Sequence, residues 1–419
     1  MREREDFEKF DTVVIGGGPA GMMAAFRASE LGAKVLLLER NATLGRKLLI
    51  TGKGRCNITQ AACDKNEFIE KVGKKGRFLH SSLSAFGAED VIDFFESRGV
   101  RTKVERGGRV FPENDQAKDV LKAISNVLKE NGVTIRTGIR VERFLKKGDR
   151  IEKVILASGD EVRADKFVVA VGGKAYPVTG STGDGYEWAK ELGHTVVEAS
   201  PALVPVKVHE EWAKELQGLS LRNVQINIFQ NNKKMDSRFG EMIFTHFGVS
   251  GPIVLDVSKK IGELLKNGGV QINLDLKPAL EPTQLKERLQ RDFNNNPKKS
   301  FRNYLPDLLP RKMVDVILKL SEVDPDKQLC VVNGQEKKKL LNLLKDLRME
   351  VDDLLGFEHA IVTAGGVNLK EIHSKTMQSR IVENLYFAGE ILDLDAPTGG
   401  YNLQICWSTG YAAGSHAAK

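Results

Sequence analysis

The first residues with a spacing suited to chemistry form a glycine-rich turn near the start of the chain. Gly16-Gly17-Gly18-Pro19-Ala20-Gly21 satisfies the pattern G-x-G-x-x-G. The first glycine permits a tight turn, the second lets the backbone approach a pyrophosphate, and the third lets helix and strand pack closely. Glu39 follows eighteen residues after Gly21, where a carboxylate can bind ribose hydroxyls. The pattern predicts a dinucleotide site, and an ordinary turn beside a solvated acid is the alternative.

The acid and the far end of the chain narrow the choice of nucleotide. A carboxylate at this place fits FAD or NAD and argues against NADPH, because it favours a free 2′-hydroxyl. Residues 385–389 predict a strand, followed by Glu390 and by a helix that starts at Gly399-Gly400-Tyr401-Asn402. Such an element can present a second helix N-terminus to an isoalloxazine edge while its acid meets the ribityl chain. We therefore predict FAD.

An α/β fold is predicted to hold these two glycine-rich motifs. Residues 11–15 and 34–39 predict buried parallel strands on either side of a helix at 22–31, because both runs are apolar and β-branched. Another apolar strand, at 167–171, ends at Gly172-Gly173. After about residue 200 the pattern turns to alternating strands and then to amphipathic helices. The predicted domains are 1–196 and 356–419 for the cofactor domain and 197–355 for an inserted substrate or partner module, helical over about 282–348.

Further strings carry a resemblance to a known family. They are Thr51-Gly52-Lys53-Gly54-Arg55-Cys56-Asn57, Gly172-Gly173-Lys174-Ala175-Tyr176-Pro177 and Phe244-Thr245-His246-Phe247-Gly248-Val249-Ser250-Gly251-Pro252. With the two ends, they resemble the glutathione-reductase-like FAD superfamily and, within it, the BaiN/RdsA family of flavoproteins. The resemblance covers nearly the whole chain. It implies a Rossmann-like FAD-binding domain of the glutathione-reductase type with an inserted α+β module, part sheet or barrel and part helix.

The resemblance also implies non-covalent FAD and a set of binding residues. Lys47 and Arg55 would add positive charge near the flavin, which stabilises its reduced anion, and Val141 lies where the superfamily brackets the adenine. The alternative for the 45–57 loop is a solvated basic loop. The predicted FAD-binding residues are Gly16, Gly18, Pro19, Ala20, Gly21, Glu39, Arg40, Lys47, Thr51, Gly52, Arg55, Cys56, Asn57, Val141, Gly172, Gly173, Gly389, Glu390, Gly400, Asn402 and Leu403.

The activities that the family resemblance implies include the reduction of conjugated C=C bonds. Such a reduction needs a proton donor in addition to the hydride of the flavin. By residue type and position in glycine-rich loops, Cys56, Tyr176 and His246 are the catalytic candidates. Each has a structural alternative: a small buried hydrophobe for Cys56, a wedge that shapes the turn for Tyr176, and a packed histidine for His246. The seven histidines are scattered without metal-binding spacing, so no metal site is predicted.

The charge balance points to an anionic partner. The chain has 63 Lys+Arg against 56 Asp+Glu, a net charge of +7. Between Lys286 and Lys312, eight basic residues alternate with Phe293, Phe301 and Tyr304, a mixture that could hold an RNA backbone and stack on bases. The alternative is a helical bundle with a solvated face. No membrane contact is predicted, since no apolar run reaches the roughly 18 to 20 residues of a membrane span.

Together these patterns predict a cytoplasmic FAD-dependent oxidoreductase. NADH or NADPH would reduce the flavin transiently, and hydride would pass to an activated C=C bond, for which the family suggests a uridine in ribosomal RNA. Two other enzymatic readings stay open, a small-molecule enone reductase and an oxidase of amines or aminoketones. A reading from another class is a flavin-bearing RNA-binding or assembly factor that does not turn over.

Overall fold

The structure, a computed structural model, describes residues 9–61 and 64–419. Residues 1–8 and 62–63, which fall within the predicted cofactor domain 1–196, lie outside the described residues. The chain divides into two compact units. The first contains the residues up to Ala202 together with Phe357–Lys419, and the second contains Leu203–Gly356.

Strands and helices alternate along the first unit, while the second is strand-rich and then helical. The strands are β1 Phe10–Ile15, β2 Val35–Glu39, β3 Thr59–Gln60, β4 Thr102–Glu105, β5 Arg109–Pro112, β6 Thr134–Thr137, β7 Val141–Lys147, β8 Arg150–Leu156, β9 Glu161–Val162, β10 Ala164–Val169, β11 Val196–Ala202, β12 Val206–Val208, β13 Ser220–Gln230, β14 Lys233–Thr245, β15 Gly248–Ser250, β16 Gln271–Asp275, β17 Leu347–Leu354, β18 Val362–Val367 and β19 Leu385–Phe387.

The helices are α1 Pro19–Glu30, α2 Arg46–Ile50, α3 Lys65–Val72, α4 His80–Ala85, α5 Ala88–Glu96, α6 Ala117–Glu130, α7 Asp184–Glu191, α8 Glu211–Glu215, α9 Pro252–Leu265, α10 Pro282–Asn295, α11 Phe301–Tyr304, α12 Val314–Ser321, α13 Gly334–Lys345 and α14 Tyr401–Ala417. Short 3-10 helices occur at Thr51–Gly54, Gly73–Leu79, Pro177–Thr179, Leu305–Asp307, Arg311–Met313, Leu329–Val331, Leu369–Glu371 and Gly389–Ile391.

A five-stranded parallel sheet forms the centre of the first unit, in the order β19-β10-β1-β2-β6. The predicted βαβ unit is confirmed as β1, α1 and β2. Val13 and Val14 of β1 and Leu36 and Leu37 of β2 are fully buried, which explains why these strands read as continuous apolar runs. Because the strands are parallel, the carboxyl ends of β1, β2, β10 and β19 meet at one edge of the sheet, where ligands bind in such folds.

Helices α1 and α14 pack closely against each other through small residues. A Cβ on Gly410 would overlap the carbonyl oxygen of Ala20, and a Cβ on Gly414 would overlap that of Ala24. The two glycines lie one turn apart on α14, so they let the backbones of the helices approach each other. This contact joins the last helix of the chain to the first.

The second unit contains a closed six-stranded barrel, in the order β12-β15-β14-β13-β16-β17, and the helices α10 to α13 lie in the chain between β16 and β17. All of its strand pairs are antiparallel. Phe293, Phe301 and Tyr304 are at most 2% exposed and belong to the core of this unit. The interpretation that they stack on nucleic-acid bases is therefore wrong, because their spacing is that of a helical core face.

The residues just before the second unit pair within the first. Strand β11 runs antiparallel to β18, with Ala202 opposite Val362. The sequence interpretation placed residues 197–202 at the start of the insert, whereas the chain leaves the first unit only after Ala202.

Candidate functional site

The glycine turn lies at the carboxyl end of β1, directly before α1. Gly16 has φ +107°, a conformation that side chains disfavour, and a Cβ there would overlap the carbonyl oxygen of Ala170. Gly18 is the residue before the first turn of α1, which begins at Pro19. A Cβ on Gly18 would meet no protein atom within 4 Å. Protein packing therefore does not require glycine at this position, and the space before the helix N-terminus is open, as the close approach of a pyrophosphate would need.

Glu39 closes the turn from the end of β2. Its Oε2 accepts a hydrogen bond from the Gly17 N–H at 2.7 Å, and its Oε1 accepts from the Asn41 N–H at 2.7 Å and from the Asn41 side chain at 2.6 Å. A carboxylate offers about four acceptor positions. Glu39 is therefore held in place beside the glycine turn and retains capacity for a ribose hydroxyl.

Arg40, also predicted to bind the cofactor, points to a neighbouring loop. Its guanidinium donates to Thr182 Oγ1 at 2.6 Å and lies 3.1 Å from Asp184 Oδ2. Asp184 is the first residue of α7. Arg40 therefore ties the end of β2 to α7 through a carboxylate at a helix N-terminus.

A second acid lies at the end of β19. Glu390 Oε2 pairs with Lys47 Nζ at 2.9 Å, and Oε1 accepts the Thr363 N–H at 2.9 Å. Gly389, next to it, has φ +77°, and a Cβ there would lie 2.7 Å from the Cβ of Ala20 in α1. The two ends of the chain thus meet at the same sheet edge, with both acids anchored by protein donors.

The loop that holds Cys56 and Arg55 turns both side chains toward protein. Cys56 is 0% exposed, and burial raises its pKa to about 12, with the Thr51 hydroxyl opposing that rise. A side chain that touches a ligand keeps surface that protein atoms do not cover. Cys56 keeps none, so the structure contradicts its assignment as proton donor and as a side-chain contact of the cofactor. The burial that raises this pKa depends on tertiary packing, which the sequence does not display.

Arg55 joins a charged cluster instead of facing a ligand alone. Its guanidinium pairs with Glu105 and with Asp115, the latter at 2.8 Å, and lies 4.0 Å from the ring centre of Phe111. Hydrogen bonds from Lys103 and then Arg55 hold the pKa of Asp115 below its ordinary value. The positive charge predicted near the flavin is therefore neutralised at Arg55, where it fixes the loop to β4 and β5.

Asn57 and Asn402 differ in how their amides are used. Asn57 Oδ1 is buried and has no hydrogen-bond partner among the described residues. A Cβ on Gly400, which has φ +102°, would lie 3.0 Å from this oxygen. Asn402 instead accepts from the Ala396 N–H at 3.0 Å and donates to the carbonyls of Ala396 and Pro397. Asn57 Oδ1 is thus a buried acceptor without a protein donor in the described part of the chain, whereas Asn402 shapes the loop before α14.

The remaining predicted residues lie around the same sheet edge or beside it. Thr51 donates its hydroxyl to the Leu48 carbonyl at 2.7 Å. Gly172 has φ +77°, and Gly173 packs against Thr363. Val141 is buried at the start of β7, and Leu403 is half-buried in the first turn of α14. Pro19, Ala20 and Gly21 form the first turn of α1.

Tyr176 and His246, the other candidate proton donors, lie on different units. Tyr176 follows Gly173 on the first unit, is 36% exposed, and has φ +56°, an uncommon backbone conformation for this residue. Its N–H donates to the Phe357 carbonyl at 2.8 Å. His246 is exposed in the turn between β14 and β15 of the second unit. The first unit therefore brings Tyr176, but not His246, together with the cofactor strings.

Sequence reasoning missed Thr363, which connects several of these strings. It is fully buried, and its Oγ1 accepts from the N–H groups of Lys174 at 2.8 Å and Ala175 at 2.9 Å. Its own N–H donates to Glu390. Asp393, also buried, pairs with Lys75. No motif marks Thr363, since its partners are far along the chain.

The described part of the chain has neither a membrane-spanning helix nor a cluster of metal-binding side chains. No helix within residues 9–61 and 64–419 has the length and apolar content needed to cross a bilayer. Over the same ranges, no group of three or more His, Cys, Asp or Glu side chains is arranged to hold a metal ion.

Comparison with known proteins gives full-length relatives. A family model described as the HI0933-like protein Rossmann domain matches residues 10–416. The 3-dehydro-bile acid delta(4,6)-reductase of Clostridium scindens is 34% identical over 409 residues, 97% of this chain and 98% of that protein. The ribosomal RNA dihydrouridine synthase of Escherichia coli is 32% identical over 408 residues, 97% of each.

Solved structures share the fold at low sequence identity. The 3-ketosteroid-delta4-(5alpha)-dehydrogenase from Rhodococcus jostii RHA1 matches with a TM-score of 0.55 and 15% identity, over 100% of this chain and 98% of that one. A flavocytochrome c3 fumarate reductase matches with a TM-score of 0.53 and 17% identity, over 98% and 78%. The predicted Rossmann-like FAD-binding fold is confirmed, as is the prediction of an FAD-dependent oxidoreductase. The chain belongs to the HI0933-like family, the BaiN/RdsA family of flavoproteins that its strings resemble.

Proposed function

We propose that this protein takes hydride from NADH or NADPH through FAD and delivers it to the activated C=C bond of a uracil ring in RNA. The observation that carries the redox part is the meeting of the two chain ends at one sheet edge, with Gly389 packed against Ala20 of α1. The support for the acceptor is a relative named as a ribosomal RNA dihydrouridine synthase, which matches over almost the full chain. This acceptor implies a cytoplasmic protein.

The residues of the first unit fit an extended FAD. Gly18 leaves room for a pyrophosphate before α1, and Glu39 has acceptor capacity for the adenosine ribose. Glu390, which is partly exposed, offers acceptor positions to the hydroxyl and N–H donors of the ribityl and flavin parts. Bound FAD supplies the hydride chemistry, and the protein supplies position and charge.

Lys47 is the basic residue next to Glu390, the acid that follows β19. Arg55 is neutralised by two carboxylates, whereas Lys47 pairs with Glu390 alone at 2.9 Å. Both partners are less than a quarter exposed, so the charges interact with limited solvent screening. We assign the tuning of the flavin potential to this pair.

Tyr176 is our choice of proton donor. It has accessible surface, it lies in the Gly172–Pro177 string, and its strained backbone is held by the hydrogen bond to Phe357. A phenol O–H is a hydrogen-bond donor that can transfer its proton to a carbon that develops negative charge. Cys56 lacks accessible surface.

The nicotinamide donor is proposed to use the same site as the acceptor. Every strand pair in the second unit is antiparallel, so this unit does not provide a second Rossmann sheet. The donor would then leave before the acceptor enters, which gives ping-pong kinetics.

Two measurements test the proposal. Anaerobic addition of NADH or NADPH to the purified holoprotein should bleach the flavin absorbance, and subsequent addition of substrate RNA should restore it. RNA from cells that lack the protein should have lost a dihydrouridine that returns with the wild-type gene but not with a Tyr176→Phe variant. Retention of every dihydrouridine in those cells would exclude the RNA substrate.

A small-molecule enone is the second candidate acceptor. The bile acid reductase relative is 34% identical to this chain, and Val178, beside Tyr176, is 69% exposed and apolar. An apolar tip next to the donor suits a steroid-like ring system. Reoxidation of the reduced holoprotein by a conjugated steroid ketone, but not by RNA, would favour this candidate.

A further inference from the structure

The net positive charge of the chain is concentrated in the helical part of the second unit. Residues 282–345 contain fourteen Lys and Arg against eight Asp and Glu, a surplus of six, while the whole chain has a net charge of +7. These residues make up about a seventh of the chain. A concentration of this kind attracts polyanions, because phosphates exchange condensed counterions for fixed cations.

The aromatic residues of this segment do not take part in such a contact. Phe293 and Tyr304 pack edge to face with ring centres 5.1 Å apart, and the Tyr304 hydroxyl donates to Asp292 at 2.8 Å. Phe301 is fully buried. Proteins that hold single strands use exposed aromatic rings for stacking. The segment therefore offers charge without stacking, which suits the backbone of a structured, base-paired RNA.

Most cations of the segment already have partners within the unit. Lys299 pairs with Asp307 at 2.7 Å, Lys327 with Glu336 at 2.7 Å, and Lys345 with Asp275 at 2.6 Å. Weaker pairs at 3.5 to 3.9 Å involve Arg288, Arg302 and Lys319. An ion-paired cation gains less from a phosphate, because the existing pair must be broken or shared.

Four exposed cations on or beside α10 and α13 have no ion-pair or hydrogen-bond partner among the described residues: Lys286, Arg291, Lys298 and Lys338. The two helices lie side by side, since Lys337 Nζ donates to Gln290 Oε1 at 3.2 Å, and Arg291 and Lys338 follow these two residues. Glu287 is the exposed acid nearby on α10. We name the four residues the α10–α13 cations.

We propose that the α10–α13 cations form a phosphate-contact surface for structured RNA on the second unit. The identity of the RNA rests on the proposed function, whereas the surface rests on charge and burial. Four phosphate contacts give a slope of log affinity against log salt of about −3 to −4. Recognition through this surface is expected to depend on RNA shape and not on base sequence.

The test compares two holoprotein variants with the same change in net charge. In the first, the four α10–α13 cations become Gln. In the control, four cations that have ion pairs in the second unit become Gln: Lys214, Arg302, Lys319 and Lys339. Thermal unfolding and the flavin spectrum establish that both variants fold and bind FAD. The probe is a short RNA stem-loop with uridines in the loop, and its binding is measured over a range of salt concentrations.

The first variant is expected to lose about 100-fold in affinity at low salt and most of the salt slope, while the control stays within about threefold of wild type. Equal losses in the two variants would overturn the proposal, since total charge and not this surface would then matter. Unchanged binding by the first variant would overturn it as well. Bleaching of the flavin by NADH or NADPH is the separate readout for the proposed function, so either conclusion can fail without the other.

Discussion

Lys47 Nζ lies 2.9 Å from Oε2 of Glu390, although the two residues are 343 positions apart. The pair joins α2, which follows the dinucleotide turn, to the acid at the end of the last strand. Thr363 fixes the other carboxylate oxygen of Glu390 at 2.9 Å. The cation and the anion of this pair therefore have defined positions, and each can be removed separately by substitution.

Removal of the Lys47 charge and removal of the Glu390 charge are expected to shift the flavin midpoint potential in opposite directions. Lys47→Met removes positive charge that favours the reduced flavin, so the potential should fall by on the order of 30 mV, a tenfold change in a two-electron equilibrium. Glu390→Gln should raise it by a similar amount. The measurement is equilibration of each holoprotein with a redox dye of known potential.

The double variant is the control for this prediction. Because it removes both charges, its potential should return close to that of the wild-type protein. A shift of the same sign in both single variants would contradict the electrostatic explanation and would point to a general disturbance of the site.

Gly18→Ala is expected to weaken FAD binding without lowering the stability of the protein. A Cβ at this position meets no protein atom within 4 Å, so the unfolding free energy of the apoprotein should change by less than about 1 kcal/mol. The Kd for FAD should rise at least about tenfold, or 1.4 kcal/mol, because the methyl group occupies the approach to the pyrophosphate. Fluorescence titration of the apoprotein with FAD measures this change.

Gly21→Ala is the matched comparison. A Cβ there would overlap the carbonyl oxygen of Gly16, so this variant should be destabilised whether or not FAD is present. Equal FAD affinity of the wild-type protein and Gly18→Ala would remove Gly18 from the binding site.

The parts of the site that could be predicted from the sequence are those set by local spacing. The turn at Gly16 and the acid at Glu39 form one βαβ unit, so their separation along the chain fixes their separation in space. Thr363 could not be found in this way, since its hydroxyl serves N–H groups 188 and 189 positions away. The burial of Cys56 depends on tertiary packing around the loop, which adjacent basic residues do not reveal.

The dependence on tertiary packing also explains why the base-stacking role predicted for the aromatic residues of the insert is wrong. Phe293 belongs to α10, where Leu285 and Leu289 precede it at four-residue intervals and all three are buried. An interleaved pattern of basic and aromatic residues is compatible with both a nucleic-acid surface and an amphipathic helix. Only the packing of α10 in the second unit distinguishes these two interpretations, since it buries Phe293 and leaves Lys286 and Arg291 exposed.

Alkylation should distinguish the cysteines of the native protein. Burial raises the pKa of Cys56 and of Cys406 to about 12, so at pH 8 both remain thiols, whereas Cys330 is exposed. Since the thiolate is the reactive form, iodoacetamide should label Cys330 in the folded protein and label Cys56 and Cys406 only after unfolding. Peptide mass spectrometry measures each site. Rapid labelling of Cys56 in the native protein would restore it as a candidate for contact with ligands.

The stability of the first unit should decrease as the pH falls below the ordinary pKa of histidine. His194 has a fully buried side chain whose Nε2 lies 2.9 Å from Ser379 Oγ, and Phe387 packs against the ring. Burial lowers its pKa, with Lys146 adding to this effect, although Glu371 at 3.3 Å opposes it. The unfolded chain therefore binds a proton on this histidine below about pH 6.5, whereas the folded chain binds it only at a lower pH. In this range the free energy of unfolding decreases by up to about 1.4 kcal/mol per pH unit.

A His194→Gln variant provides the measurement for that pH dependence. Glutamine cannot titrate, so the difference in Tm between pH 8 and pH 5.5 should be smaller in the variant than in the wild-type protein. The variant should be less stable than the wild type at pH 8, because the packing against Phe387 is lost. An identical pH dependence in the two proteins would show that other groups control it.

The hydroxyl of Thr363 is expected to hold the Gly172–Pro177 string in place. Thr363→Val keeps the shape of the side chain and the N–H bond to Glu390 but leaves the N–H groups of Lys174 and Ala175 without their acceptor. Two buried donors without partners cost about 2 to 4 kcal/mol of unfolding free energy. Thr363→Ser retains the acceptor and should lose less than half as much. Denaturant unfolding measures both variants, and hydrogen exchange at Lys174 and Ala175 should accelerate only in the valine variant. If valine and serine behave alike in both measurements, the hydroxyl is not what orders this string, and the packing of Thr363 against Gly173 would carry that role instead.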